Sequence, residues 1–497
     1  MTTVSRLLLD RVEQRPDLRL GVAGDLVRLD DALTAALVGA EALAASGLGP
    51  GARLAVTAGT STDQLVFWMA CQLAGVEVAM VNPTYPDDLL GEMFDQLRPD
   101  AVAAGQGEDL GPATRGARAV WSYDGLRKRA LRRDDERLVL GAPSSTTPVG
   151  LSADPLAVAG YQHTSGTTGL PKFCAQSHTY FRALGRYISD ALCIGPEDKV
   201  FAPLPSFHIN PFGYGFLGGL SGGADVVMAT RFSAGDFWPT VTREGITVMF
   251  LHAPPVEILK KRTTREDAEG HAVRAMFFTD VDFLDTFSIG VGLSGYGSTE
   301  AGGLCHTWTW RRGDRPDVPE GASRVGGSVR HDVEARLDRD GQILVRGREP
   351  GILFSGYRGA DGLVPATDGE GWFATGDLGR MDDQGRLVFL ERMAESIRVK
   401  GEFVPMGHVE QVHARVGDLH DLAVWKRDGP LGGDEVVLYA VCDQVPREAV
   451  RAAGATLPAF MRPVAVARVA ELPRDTAAGK VQRRRLVDLP VLEWVEL

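Results

Sequence analysis

Tyr161-Gln162-His163-Thr164-Ser165-Gly166-Thr167-Thr168-Gly169-Leu170-Pro171-Lys172 is the most informative run in this chain. Hydroxyls and glycines crowd together and a Pro-Lys step closes the run, a composition that suits a loop wrapped around polyphosphate. Glycines let backbone N–H groups approach an anion closely, hydroxyls donate further hydrogen bonds, and a lysine supplies a mobile positive charge. The apolar run from Leu156 to Tyr161 just before it reads as a buried strand. The common phosphate loop needs Gly-Lys-Ser/Thr after its spacers. Here Leu170-Pro171 separates Gly169 from Lys172 and Phe173 follows, which disfavours a P-loop kinase or GTPase.

Other short motifs follow in order: Pro205-Ser206-Phe207-His208, Tyr296-Gly297-Ser298-Thr299-Glu300, Trp372-Phe373-Ala374-Thr375-Gly376-Asp377, then Arg392, and finally Pro473-Arg474-Asp475-Thr476-Ala477-Ala478-Gly479-Lys480. Together with the first stretch they resemble the signatures of the AMP-forming adenylating enzymes. That superfamily holds the acyl- and aryl-CoA ligases, the luciferases and the peptide-synthetase adenylation domains. The resemblance runs from Tyr161 to Lys480 and so covers most of the chain.

It implies ATP, Mg²⁺ and coenzyme A as the small molecules used, and a role for each matching residue. Thr164, Ser165, Gly166, Thr167, Thr168, Gly169 and Lys172 would hold the β- and γ-phosphates. His208 would sit at the floor of the acyl pocket, Tyr296 would stack on adenine, Thr299 would touch the α-phosphate, and Glu300 would hold Mg²⁺ through hard oxygen ligation. Asp377 would bind both ribose hydroxyls with Arg392 as a second ribose ligand. Lys480 would bridge the attacking carboxylate and the α-phosphate.

The chemistry explains why such residues are needed. A carboxylate is a poor electrophile because its leaving group would be oxide, so it is joined to the α-phosphate of ATP and pyrophosphate is expelled. Charge builds on phosphate oxygens. The protein's part is then positioning, with cations and hydrogen-bond donors aimed at that charge.

At 497 residues the chain exceeds one compact core, and more than one lobe is expected. Its 53 basic and 65 acidic residues leave a net charge of −12, which disfavours broad binding to nucleic acid or an anionic membrane. The run Arg483-Arg484-Arg485 flanks Lys480, where a local phosphate role or simple solvation is more economical than DNA binding. Five cysteines, Cys71, Cys174, Cys193, Cys305 and Cys442, form no Cys-x-x-Cys pair. Zinc and a disulfide framework are disfavoured, and a reduced cytoplasm is expected. Asp10 and Arg11 interrupt the apolar Leu7-Leu8-Leu9, so an amphipathic first helix is expected rather than a signal peptide or a membrane span.

The expected fold class is α/β. Strand-like Arg53–Val56 and Val76–Val81 flank helix-like Asp63–Leu73, alternation that implies parallel sheet with covering helices. The charged run Arg127–Arg137 predicts a solvated helix, followed by a surface linker at Pro143–Pro148. From Ser323 short alternating strands with turn glycines predict a small β-rich subdomain. A boundary near Arg392 gives a large N-terminal domain of mixed and parallel sheets over residues 1–391 and a small α+β domain over 392–497. The resemblance implies that this second domain is mobile and carries the adenylation lysine. The string Gly219-Leu220-Ser221-Gly222-Gly223 satisfies the nucleophile-elbow pattern, yet no partnered His and Asp can be identified for it.

Two departures from the family pattern bear on substrate and acceptor. Phe277-Phe278-Thr279-Asp280-Val281-Asp282 stands where the family has small residues, and a carboxylate at Asp280 or Asp282 would suit a substrate bearing an amine or hydroxyl donor. At the hinge the chain reads Arg392-Met393-Ala394-Glu395, and Ala394 removes the polar pivot. The leading expectation is activation of a small aromatic or unsaturated carboxylic acid as its adenylate, with transfer to coenzyme A. The alternative keeps ATP cleavage to AMP but changes the acceptor or the anion: carrier-protein loading, amide formation, or nitrite activation for aryl-amine diazotisation.

Overall fold

The computed structural model describes residues 3–57, 59–85, 87–105, 117, 119–134, 136–145, 148, 150–151, 153–164, 171–277, 281–314, 324–393, 397–399, 402–404, 406–429, 434–474 and 481–497. The chain divides into two compact units. The first comprises Met1–Pro316, Val329–Ala335 and Val345–Phe373; the second comprises Asp317–Ser328, Arg336–Leu344 and Ala374–Leu497.

The first unit is built on two sheets with parallel centres and antiparallel margins. In one, Val158–Thr164, Glu77–Met80, Arg53–Val56, Ala101–Ala104 and Val120–Ser122 lie side by side in parallel. In the other, Val291–Ser298, Ala275–Phe277, Val248–Phe250, Lys199–Ala202, Asp225–Met228 and Arg19–Val22 do the same. The central strands are nearly continuous runs of Val, Ala, Met and Phe, as expected where both faces of a sheet are covered.

The helix Thr62–Ala74 shows why these layers hold. Twelve of its thirteen residues are buried, and a helix that is apolar all round belongs inside. Ser61 caps its start by accepting from Gln64 N, and Gly75, at φ 74°, ends it in the left-handed conformation that other residues resist. It contacts the strands Glu77–Met80 and Arg19–Val22, one from each sheet. Trp68 on this helix meets Phe212 edge-on at 4.9 Å, and Phe181 of the helix His178–Ala191 meets Phe212 at 6.1 Å. Edge-to-face pairs of this kind add about 0.5–1.5 kcal/mol each to the area they bury. The first helix, Val4–Gln14, is amphipathic as expected, with Val4, Leu7 and Leu8 buried.

The charged run from Arg127 is not a helix. It forms a single 3₁₀ turn, Leu126–Lys128, and then an antiparallel hairpin, Ala130–Arg133 with Glu136–Val139, on the margin of the first sheet. Arg129 and Asp134 take positive φ, 56° and 52°, which a helix interior excludes. Leu131 and Leu138 face each other across the hairpin, and Leu131 is buried.

In the second unit, Arg324–Val329, Leu387–Arg392 and Phe373–Met381 form an antiparallel ladder. Asp421–Asp428, Asp434–Val441, Ala465–Val469 and Val491–Glu496 form a four-stranded sheet. The helices Met406–His413 and Arg447–Gly454 join it, with Val409, Val424, Leu438, Val450 and Val466 in one core. The residues after Arg392 are therefore α+β, as the sequence predicts. Among the described residues no helix is long and apolar enough to cross a membrane.

Candidate active site

The strand ahead of the hydroxyl-rich loop is longer than its apolar residues imply. It runs Val158–Thr164, so Gln162, His163 and Thr164 belong to the ladder. The chain returns antiparallel as Lys172–Ser177, with Lys172 directly opposite Thr164. Thr164 and Lys172 thus close the base of the loop. Ser165, Gly166, Thr167, Thr168 and Gly169 lie outside the described residues.

Glu300 is brought to this base. Its Oε1 accepts from Thr164 Oγ1 at 3.3 Å and from the Tyr357 hydroxyl at 3.2 Å. Lys172 Nζ stands 4.9 Å from the centre of the Tyr357 ring. Tyr357 arrives on the strand Gly356–Gly359, which pairs antiparallel with Lys172–Ser177 and sets Tyr357 opposite Cys174. Burial and then the Glu300 carboxylate push the Tyr357 phenol upward, so it stays protonated and donates. The same two causes, in the same order, raise the Cys174 thiol, which is no nucleophile here. One carboxylate with neighbouring hydroxyl oxygens is a donor set that fits Mg²⁺, which takes few protein ligands and completes its shell with phosphates and water.

The backbone around Glu300 is held from several sides. Thr299 is buried and its carbonyl accepts from the Tyr180 hydroxyl at 2.7 Å, while the Glu300 carbonyl accepts from Phe354 N at 3.3 Å. Tyr296, also buried, lies on the strand Val291–Ser298 beside Gly303–Arg311, with its ring 6.1 Å from His306. The neighbouring glycines are required by close approach. A Cβ at Gly295 would stand 2.1 Å from the His306 carbonyl oxygen, and one at Gly297 would stand 2.1 Å from that of Gly303. Arg330, fully buried, donates to the carbonyls of Gly302 and Leu304 at 2.8 and 3.0 Å and pairs with Asp332. It fixes the turn that follows Glu300.

His208 lies in a group of aromatic and imidazole rings. The segment Pro205–His208 is tied to the start of the helix Thr62–Ala74, where Ser206 N donates to Thr60 Oγ1 at 2.9 Å and Ser206 Oγ to Gln64 Oε1 at 3.0 Å. The π-helix Asn210–Phe216 follows, a geometry frequent at functional sites. His163 lies 5.9 Å from the Phe207 ring and 6.2 Å from that of His208, and the Tyr85 hydroxyl is 3.4 Å from His163 Nδ1. Burial, and then His208, lower the His163 pKa to about 4. Burial and then His252 lower that of His208 in the same direction, but its exposed side chain keeps part of its hydration. Both rings are neutral at pH 7. Neutral imidazoles suit a pocket for an uncharged acyl chain.

In the second unit the Thr-Gly-Asp turn is braced by its own backbone and side chains. Thr375 Oγ1 donates to Ile343 O at 2.8 Å, Gly376 N donates to Gln342 Oε1 at 3.0 Å, and Gly376 takes φ 73°. Asp377 is buried, faces Arg392 across the antiparallel ladder, and meets Arg392 Nε at 3.4 Å. The residues on either side of the Lys480 segment are also paired. Arg474 bridges to Val481, and Gln482 N donates to Pro473 O at 2.7 Å. Lys480 itself lies outside the described residues, as do Asp280 and Ala394. Arg483 is committed to Glu410 at 2.8 Å, so the basic run is not a free patch.

Asp282 corrects an expectation. It is exposed in the first turn of the helix Val281–Phe287, where a carboxylate is stabilised by the helix N-terminus. Its side chain faces solvent rather than a described cavity. Tyr357 and Arg330 have no signal in the sequence, because their partners Glu300 and Gly302 are distant in the chain and only the folded ladder brings them near.

Residues 30–362 match the model of the family described as AMP-binding enzyme. The chain is similar to the sulfoacetate–CoA ligase of Cupriavidus necator, at 31% identity over 66% of each chain. It is also similar to 4-coumarate–CoA ligase 3 of Oryza sativa subsp. japonica, at 26% identity over 56% of this chain and 54% of that one. The chain thus spans about half to two thirds of the length of these curated relatives. Its fold matches that of an o-succinylbenzoate CoA synthetase from Bacillus subtilis solved with its acyl-adenylate. The TM-score is 0.79 at 21% identity, covering 99% of this chain and 100% of that one.

Proposed function

The chain belongs to the AMP-binding enzyme family, and from that premise we propose that it activates a small carboxylic acid with ATP as an acyl adenylate, releases pyrophosphate and passes the acyl group to coenzyme A. The observation that carries this reading is the meeting of Thr164, Glu300 and Tyr357 at the mouth of the loop closed by Lys172. Oxygen donors for Mg²⁺ and a cation for phosphate stand together there. The CoA ligases among its relatives support the acceptor.

In this reading the loop residues Thr164 to Gly169 and Lys172 hold the β- and γ-phosphates, and Glu300 holds the Mg²⁺ that neutralises them. Tyr296 stacks on adenine, Thr299 touches the α-phosphate, and Asp377 with Arg392 binds the ribose. Residues 392–497 form a mobile domain whose Lys480 meets the carboxylate and the α-phosphate during adenylation. The acid is aromatic or unsaturated, and His208 with His163 lines its pocket. The 4-coumarate ligase among the relatives and the neutral rings around His163 support that choice.

The test is a panel of aryl, unsaturated and saturated acids, amino-aryl acids and nitrite, assayed for pyrophosphate and AMP with and without coenzyme A. Acid-dependent pyrophosphate with coenzyme A-dependent thioester supports the reading. Pyrophosphate release with nitrite alone would move the enzyme to diazotisation, and no AMP with any substrate would remove the ligase reading altogether.

A further inference from the structure

A cavity of about 320 Å³ lies between the first helix, Val4–Gln14, the helix His178–Ala191 and the short helix Leu217–Gly222. Three guanidiniums line it, from Arg11, Arg182 and Arg186, together with the carboxylates of Asp10 and Asp190. Both acids have partners already: Asp10 pairs with Arg6 at 2.7 Å and Asp190 with Arg186 at 3.7 Å.

Arg11 is held by neutral acceptors, donating to Gln14 Oε1 at 3.0 Å and to the Ser221 carbonyl at 2.7 Å. Its Nε and the Ser221 hydroxyl are buried with no hydrogen-bond partner. Arg182 is only partly exposed and makes neither a hydrogen bond nor an ion pair with any described residue. It feels the attraction of Asp10 and the repulsion of Arg11 and Arg186. Arg182 and Arg186 are also one helical turn apart, a spacing at which like charges destabilise. Burial, the largest cause, disfavours the charged forms of both Arg11 and Arg182. A cation taken partly out of water without an acceptor is costly, and a guanidinium has no accessible neutral form to escape to.

We propose that this cavity is a binding site for a small oxyanion, phosphate or carboxylate, held between Arg11 and Arg182 with the Ser221 hydroxyl as a further donor. The guanidinium fork matches the geometry of such anions. Ser221 belongs to the Gly-rich string that imitates a nucleophile elbow, and the structure gives it a donor's place in an anion site. The site is separate from the adenylation residues and holds whether or not the acid ligase reading does.

The test uses the full chain saturated with AMP, so that phosphate entering the nucleotide site does not count. Inorganic phosphate and malonate are titrated separately by calorimetry at constant ionic strength against chloride. One equivalent of phosphate or malonate should bind, the preferred probe telling a phosphoryl from a carboxylate ligand. Arg182→Gln should weaken binding about tenfold or more, the scale of one charge-assisted hydrogen bond. Ser221→Ala, which keeps every charge, should weaken it severalfold, and neither variant should change AMP affinity. The proposal is overturned if no heat remains once AMP is bound, if chloride competes equally, or if both variants bind the anion as wild type does. Should Arg182→Gln fail to fold, Ser221→Ala decides alone: unchanged anion affinity in that variant overturns the proposal.

Discussion

Replacing Asp377 with Asn keeps the shape of the side chain and removes its charge. Asp377 is 6% exposed and faces Arg392 Nε at 3.4 Å. In the proposed ribose-binding role the carboxylate would accept two charge-assisted hydrogen bonds, each contributing roughly 1.5–3 kcal/mol against about 1 kcal/mol for a neutral one. Asn accepts from only one hydroxyl and turns an N–H₂ group toward the other. The expected loss is about 2–5 kcal/mol, or roughly 30-fold and more in ATP affinity. The lost attraction to Arg392 adds little, because Arg392 is 48% exposed and such pairs contribute about 0–1 kcal/mol. Arg392→Gln should therefore weaken ATP only severalfold. Calorimetric titration of ATP into wild type and both variants, with thermal midpoints taken in parallel, separates binding from folding. Unchanged ATP affinity in Asp377→Asn beside a lowered midpoint would refute the ribose role and leave Asp377 as a brace for its own turn.

Lys480→Ala should lose roughly 10²- to 10³-fold in pyrophosphate release while ATP still binds, since in the proposed role its contact would form chiefly in the transition state; near-normal release in a stopped-time assay would sink the role. Tyr357→Phe removes the 3.2 Å hydrogen bond to Glu300 and keeps the ring beside Lys172. It should cost about tenfold in kcat/KM at limiting Mg²⁺, and an identical Mg²⁺ dependence in the variant would count against Glu300 as the metal ligand. His163 and His306 are each lowered to about 4, chiefly by burial. The folded state holds them neutral, so their stabilisation is complete above the unfolded value near 6.5 and is lost as pH falls from there toward 4. At about 1.4 kcal/mol per pKa unit each supplies at most ~3.5 kcal/mol, and urea midpoints for His163→Phe should fall less steeply than those of wild type as pH is lowered from 6.5 toward 4. Asp282→Asn should leave substrate preference and stability near wild type, and an altered acid profile would restore that residue to the pocket.

Much of this architecture is legible in the sequence because it is written locally. The run Thr62–Ala74 announces a buried helix by having apolar residues on every side, and Gly75 marks its end. The hydroxyl-rich loop marks its own hairpin. The residues around Arg127 mislead for a physical reason: a dense run of charges reads as a solvated helix, while the decisive features are two left-handed residues, Arg129 and Asp134, and one buried leucine, Leu131. The facing leucines Leu131 and Leu138 are the sequence signal that could have revealed the hairpin. Arg330 and Tyr357 carry no local signal at all. A lone arginine is usually a solvated one, and only the closeness of Gly302, Leu304 and Asp332 makes it structural. Asp282 repeats the lesson in reverse, since its neighbours in sequence pointed to a pocket and its helix turns it to water.

The strand that carries Tyr357 pairs with the strand that leaves the hydroxyl-rich loop, and Cys174 faces Tyr357 although roughly 180 residues separate them in the chain. On a ribosome adding about 5–20 residues per second, the loop-bearing strand waits roughly ten to forty seconds for that neighbour. Throughout that interval the margin of the sheet along Lys172–Ser177 offers unpaired backbone groups, and for its last third Glu300, once made, lacks one of its two hydroxyl partners. Truncated products ending before Gly356 should therefore aggregate more readily than the full chain, which light scattering of the purified fragments would check. The pairing thus ties completion of this sheet to a segment made late in synthesis.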